Sequence, residues 1–330
     1  MRRTTTRPTR PPRTTELDRP MTTAATPRPR VPRRALDGVL LLDKPVGLSS
    51  NDALIRAKRL LLAKKAGHTG TLDPLASGLL PLCFGEATKF SQDLLDADKT
   101  YEATMRLGVR TATGDAEGEV LDTRRVECDR AAVEAALARF TGEIVQVPPM
   151  YSALKRDGKP LYEYARAGQT VEREGRTVTI HALDLLACTL PDVTFRVTCS
   201  KGTYVRTLAE DIGEALGCGA HLTMLRRTGV GALTLEHAVT LDALSDADEV
   251  ARDAWLQPVD ALLSTLELVR LDETSAKRFL HGQRLPLSAL PTIDAADGER
   301  VRVYDATRLL GVARKANGVL APERLVVTAA

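Results

Sequence analysis

The first clear hydrophobic signal in the chain is a short apolar run, Gly38 to Leu42, that ends at Asp43-Lys44-Pro45 and reads as a buried strand. Ser49 followed by Asp52 resembles a capping box for the helix that comes next. Leu54, Ile55, Leu61 and Leu62 recur there at helical spacing, while Arg56, Lys58, Arg59, Lys64 and Lys65 occupy the other faces. That basic side is either a solvated face or a nucleic-acid contact. Further on, Tyr101, Ala103, Met105 and Leu107 alternate with Glu102, Thr104 and Arg106, and Val193, Phe195, Val197 and Cys199 alternate with Thr194, Arg196 and Thr198. Such one-sided strands suit an antiparallel sheet. Helices are expected over Asp129 to Phe140, with Asp129 as N-cap, and over Thr203 to Leu216, where Leu208, Ile212, Ala215 and Leu216 form the stripe and Gly217 the stop. After Pro258 the pattern changes to short strands at Leu266–Leu271, Arg300–Tyr304, Leu309–Ala313 and Leu325–Val327, with turns at Gly282, Asp297-Gly298 and Asn317-Gly318. Strands and helices without a regular βαβ rhythm indicate an α+β fold. The expected division is a tail over 1–35, a main domain over 36–258 and a small β-rich domain over 259–330.

Composition adjusts this picture in three places. The first 35 residues hold ten Arg against Glu16 and Asp18, with many Thr and Pro, and are expected to be disordered. Their prolines oppose the amphipathic helix of a transit peptide, so the segment reads as an appended basic tail or as sequence upstream of a start at Met21. Without the tail's net charge of about +8, the remainder carries about −5 of the chain's total of +3. Nucleic acid, if bound, would therefore meet a local basic patch. Cys83, Cys128, Cys188, Cys199 and Cys218 form no CxxC pair and lack histidines at ligand spacing, which points to reduced thiols in a cytoplasm and no metal. No apolar run is long enough to suggest a membrane span.

Chemistry concentrates in two segments. In Gly67-His68-Thr69-Gly70-Thr71-Leu72-Asp73-Pro74-Leu75-Ala76-Ser77-Gly78, glycines permit close backbone approach and Pro74 restricts Asp73 to an extended or turn geometry. The segment is not a phosphate loop, because no Gly-Lys-Ser/Thr follows. Asp73 is either a turn former bonded to backbone amides or a reactive carboxylate. Downstream, Ser200-Lys201-Gly202-Thr203-Tyr204-Val205-Arg206 crosses a strand-to-helix junction, where an arginine could pair with that carboxylate and favour the form a nucleophile needs. A conventional glycosidase needs two flanking acids, and no second acid shares so constrained a setting. Glu86 reads as a loop acceptor and Asp211 as a helix charge.

Asp43 to Ser50, the Gly67 to Lys89 stretch, Lys99-Thr100-Tyr101, Pro148-Pro149-Met150-Tyr151-Ser152-Ala153-Leu154-Lys155, Ser200 to Leu208, Gly219-Ala220-His221 and Leu225-Arg226-Arg227-Thr228 occur in this order. Together they resemble the TruB-type bacterial tRNA pseudouridine synthases over roughly Gly38 to Leu235. The resemblance implies a mixed, mainly antiparallel sheet flanked by helices, and isomerisation of uridine 55 in the tRNA T loop by base flipping. It implies Asp73 as catalytic carboxylate, Tyr101 as the stacking tyrosine and Arg206 as the partner of Asp73. Lys44, Tyr204 and Leu225 match positions that line the uracil pocket, and His68 one that contacts everted nucleotides. By pattern alone Tyr101 and Leu225 are core residues and His68 a loop hydrogen-bonder. Lys64, Lys65, Lys89, Arg226 and Arg227 are candidate RNA contacts, although the arginine pair could equally be solvated. Gly282, Val301 to Tyr304 and Leu310 to Ala313 resemble, more loosely, a PUA domain that grips the acceptor-stem side of tRNA. No cofactor is expected, and a monomer is. Ser77 stands where many relatives have Thr. The rival readings are a tRNA-binding or tRNA-folding protein in which Asp73 is structural, and a nucleoside hydrolase that releases uracil.

Overall fold

The apolar run that opens the body forms strand β1 (Gly38–Lys44), and both of its faces are covered. Leu40 and Leu42 enter the main core, whereas Val39 and Leu41 enter a second cluster with Leu79, Phe90, Leu262 and Val312. A strand buried on both sides loses the alternation of a half-exposed one. The structure, a computed structural model, describes residues 32–327. Expectations for residues 1–31 lie outside these.

Nine further strands complete the sheet: β2 (Ala66–His68), β3 (Ser77–Phe84), β4 (Lys99–Leu107), β5 (Gly142–Gln146), β6 (Arg176–Thr189), β7 (Asp192–Cys199), β8 (Ala220–Val230), β9 (Leu233–Thr234) and β10 (Val239–Thr240). Their order is β10-β1-β3-β8-β4-β7-β6-β5, with β2 beside β3 and β9 beside β8. Pairing is antiparallel except at β1/β10 and β3/β8, so the sheet is mixed and mainly antiparallel, as expected. Where β4 meets β7, one face carries Thr100–Thr198, Glu102–Arg196, Thr104–Thr194 and Arg106–Asp192 pairs. The other face sends Ala103, Met105, Val193, Phe195 and Val197 into the main core, against helices α1 (Ser50–Leu60), α2 (Arg130–Arg139) and α3 (Val205–Ala215). Asp129 caps α2 by accepting from the Ala132 N–H.

α1 differs from the sequence expectation in its buried face. Ser49 does cap it, accepting from the Asp52 N–H at 3.1 Å, but Ala53, Ala57 and Leu61 face inward and Ile55 is exposed. Small side chains let the helix approach the sheet closely, which hydrophobicity alone does not signal. The helix ends at Leu60 and Leu62 is left-handed, so Lys64 and Lys65 lie beyond it. Arg34, expected to belong to the tail, is held by the main domain. The Arg34 N–H donates to Leu62 O at 2.7 Å, and its guanidinium pairs with Asp253 and Glu249.

The second sheet holds β11 (Glu267–Arg270), β12 (Leu285–Pro286), β13 (Arg300–Tyr304), β14 (Leu309–Ala316) and β15 (Val319–Leu325), in the order β11-β13-β14-β15-β12. Asn317 and Gly318, both at positive φ, form the tight turn between β14 and β15. Helix α4 (Glu273–Leu280) was not anticipated, and the last strand precedes the expected Leu325–Val327. Leu309, Val312 and Val326 share the second apolar cluster with β1 and β3, and Asp260 receives Arg302 at 3.1 Å. No helix among the described residues is long and apolar enough to cross a membrane.

Candidate active site

Asp73 sits in the loop between β2 and β3, and polar contacts hold the backbone on either side of it, buried on the Leu72 side. Ser50, at the start of α1, accepts from the Leu72 N–H at 2.7 Å and donates to Leu72 O at 3.1 Å. The Gly47 N–H donates to Pro74 O at 2.8 Å, and Leu72 is buried as an apolar anchor. Gly78 allows the loop to close on β8. A Cβ there would lie 2.2 Å from the Arg227 carbonyl oxygen, and its φ is +99°. The Asp73 side chain therefore projects at 40% exposure from a fixed backbone.

Facing it is Arg206, in the first turn of α3 and only 5% exposed. Its guanidinium donates to Thr113 O at 2.7 Å and Tyr151 O at 2.8 Å, lies 2.9 Å from the Asp73 carboxylate and 3.6 Å from that of Asp115. Asp115 is itself buried, held by the Glu117 N–H and the Thr113 hydroxyl. A buried cation with this many acceptors is oriented rather than merely neutralised.

The pair opens on a cavity of about 270 Å³ whose walls include Lys99, Tyr101, Ser152, Tyr204, Leu225 and Arg227. Asp73 is the one carboxylate in that lining among the described residues. Burial raises the Tyr101 phenol above its ordinary value, opposed by the charge of Arg227, so it stays neutral near pH 7. Burial likewise raises Tyr204, opposed by the Ser152 hydroxyl. Burial lowers Lys99 to about 8, and its ammonium donates to Leu94 O at 3.3 Å and Leu95 O at 2.7 Å. A second cavity of about 500 Å³ also borders Asp73 and Arg206 and includes His68, Ser50, Tyr162 and Arg166. Burial lowers His68, aided by Arg227 and opposed by the Gly70 backbone.

The structure thus brings Asp73, Tyr101, Arg206, Tyr204 and Leu225 together, with His68 in the adjoining cavity. Lys44 lies outside both linings. It is 0% exposed, and its ammonium holds the carbonyls of Pro45 at 2.9 Å and Leu48 at 2.6 Å. Burial lowers it to about 8, with Asp73 opposing. Arg227, a candidate RNA contact, lies inside the site rather than on the outer surface. It is 1% exposed, donates to Leu79 O at 2.7 Å and lines the cavity, because its position on β8 points inward opposite Tyr101. Arg226 points the other way and pairs with Asp43 at 2.7 Å. Lys89 is held by Glu86 at 2.6 Å and Leu325 O at 2.9 Å, so a phosphate would have to compete for it. Lys64 and Lys65 are exposed. Asp211 is half-buried rather than an exposed helix charge, and burial pushes it up to about 6. Sequence reasoning missed Asp115, Gln146 and the carbonyls of Thr113 and Tyr151. Only the turn-like Thr113-Gly114-Asp115 offered a local signal.

Three family models tile this chain. A TruB family pseudouridylate synthase N-terminal domain matches residues 58–205, a tRNA pseudouridylate synthase B C-terminal domain 206–264 and a pseudouridine synthase II TruB C-terminal domain 268–326. A protein of Burkholderia lata named tRNA pseudouridine synthase B is 94% identical over 97% of this chain and 100% of its own length. The chain belongs to the TruB family. Proteins of the same name from Burkholderia mallei and Cupriavidus metallidurans are 83% and 68% identical, over 93% and 92% of this chain and 100% and 98% of their own. Among solved structures, a chain of a Cbf5–Nop10–Gar1 complex superposes with TM-score 0.70 at 28% identity, over 92% of each chain. A chain of an H/ACA RNP bound to a substrate RNA containing 2′-deoxyuridine also superposes with TM-score 0.70, at 26% identity over 88% of this chain and 85% of that one. The TruB family match thus spans both sheets.

Proposed function

We propose that this chain is a tRNA pseudouridine synthase, an isomerase that converts uridine 55 in the T loop of tRNA to pseudouridine. The observation that carries the reading is a single carboxylate, Asp73, paired at 2.9 Å with a buried arginine in a cavity walled by two tyrosines and a leucine. A conventional glycosidase places a second acid across the scissile bond, and Asp73 is the one carboxylate lining that cavity among the described residues.

A base inside the folded T loop must first leave its stack, at a cost of about a few kcal/mol. Tyr101 and Tyr204 offer aromatic faces that replace part of the lost stacking, and Leu225 closes the apolar side. Asp73 then attacks either the uracil ring or the sugar C1′. The N1–C1′ bond breaks, the base turns, C5 bonds to C1′, and the C5 proton leaves while N1 gains one. The product is an isomer of the substrate, so the chemistry consumes no co-reactant. A neutral Tyr101 acts as a stacking platform and hydrogen-bonding group rather than as a preformed phenolate base. Arg206 fixes the orientation of Asp73 and compensates its charge as the bond rearranges. The domain over 259–330 serves as a PUA-like module toward the acceptor stem, and Lys64 and Lys65, both exposed, with Arg226 are the candidate contacts to the T-arm backbone. The working form is a monomer in the cytoplasm.

The test is position-resolved. Unmodified tRNA is incubated with the protein, digested and chromatographed, beside a transcript with cytidine at position 55. Pseudouridine in the first and none in the second is the expected result. Free uracil, or pseudouridine at another position, would overturn the assignment.

A further inference from the structure

We propose that Gln146 is a positioning residue of this site, a buried amide that sets Tyr204 and, through it, the helix turn that carries Arg206. The assignment rests on the synthase reading given above. Gln146 ends β5, an edge strand of the main sheet, and is 2% exposed. Its side-chain oxygen accepts from the Tyr204 N–H at 3.1 Å and its side-chain nitrogen donates to Tyr204 O at 3.3 Å. One amide thus grips both backbone polar groups of a single residue, as a neighbouring strand would.

Tyr204 needs such a partner because it is the N-cap of α3. It has extended backbone, φ −102° and ψ 107°, and no side chain caps the helix from the cap position itself. Caps at the other main helices come from Ser49 and Asp129, whose own side chains accept from the first turn. Here a tyrosine occupies the cap position, which frees its ring to line the cavity. A Ser or Asp cap would accept from a first-turn N–H; Gln146, on a strand at the far edge of the sheet, instead holds the backbone of the cap residue itself. The same Tyr204 carbonyl receives the Leu208 N–H at 3.0 Å, the first helical bond of α3. Gln146 therefore fixes at once the ring that faces the base and the start of the turn from which Arg206 reaches Asp73. It lines neither of the two cavities that border Asp73.

Two substitutions separate positioning from packing. Gln146→Leu keeps the bulk and removes both hydrogen bonds. Gln146→Glu keeps the acceptor for the Tyr204 N–H and offers a donor to Tyr204 O only when its carboxyl is protonated. Single-turnover conversion of unmodified tRNA is measured from pH 5.5 to 8.5 for wild type and both variants, with tRNA affinity measured in parallel. The expected losses at pH 8.5 are about tenfold in rate for Gln146→Glu, the scale of one buried hydrogen bond left unmade, and larger for Gln146→Leu, which leaves both unmade, with affinity changed less than about twofold. As pH falls, the rate of Gln146→Glu relative to wild type rises severalfold, while that of Gln146→Leu stays flat. A Gln146→Glu ratio that does not move with pH, or variants as fast as wild type, would overturn the positioning role. If Gln146→Leu fails to fold, the pH dependence of Gln146→Glu still decides. Wild-type protein that makes no pseudouridine would instead sink the synthase reading on which the assignment rests.

Discussion

At the scale of single residues, the site is organised by what surrounds each charge rather than by the charges alone. Arg206 is buried with four oxygen partners on three chain segments, so Arg206→Lys, which keeps the charge but loses the planar fork, should lower the single-turnover rate about 100-fold. An effect below about threefold would mean that only the positive charge matters. Tyr101→Phe preserves the stacking face and should retain far more activity than Tyr101→Ala, as compared by the same assay. Lys44 carries a pH signature. Burial lowers it to about 8 in the folded protein, below the ordinary lysine value of about 10.4. Between these values the unfolded chain binds more protons, so stability contributed at this position rises with pH across that window. Urea unfolding at pH 7.5 and pH 9.5 should therefore show wild type gaining stability relative to Lys44→Met at the higher pH. A constant difference would remove Lys44 as the titrating group.

At the scale of elements, close approaches decide the geometry. Gly78 lies so near the Arg227 backbone, at positive φ, that Gly78→Ala should cost at least about 2 kcal/mol in chemical denaturation. A neutral result would mean that β3 and β8 can separate without loss. Much of this level was legible beforehand. The apolar run of β1, the alternation in β4 and β7, and the Ser49 and Asp129 caps all express local physics, which a sequence displays directly. What stayed hidden was non-local. Within α1 the inward positions Ala53 and Ala57 are alanines, which give no hydrophobic peak. Strand β15 contains Pro322, which argues against a strand, yet Pro322 pairs with Ala313 at a register irregularity where the ladder tolerates it. Helix α4 had its N-cap at Asp272 and Gly282 just beyond its end, but its eight residues sat among strand-like turn signals. In the site, resemblance pointed to Asp73, Tyr101 and Arg206. Gln146 and Asp115 escaped notice because each acts on a partner far away in sequence.

At the scale of the molecule, the two sheets share one buried apolar seam. Removing residues 265–330 would uncover Val39, Leu41, Leu79 and Phe90, which pack with Leu309, Val312 and Val326. The truncated protein should bind a hydrophobic dye and unfold at lower denaturant than the full chain. An unchanged transition would show that the seam contributes little. This arrangement keeps the second sheet fixed relative to the strands that carry the site. The account as a whole turns on that carboxylate. The most direct measurement uses tRNA labelled with tritium at uridine C5, under single-turnover conditions, with wild type and Asp73→Asn and with tRNA binding measured for both. Label release by wild type, abolished in the variant while binding persists, is the predicted result. Equal release by the two proteins, or none by a wild-type protein that binds the tRNA, would contradict it.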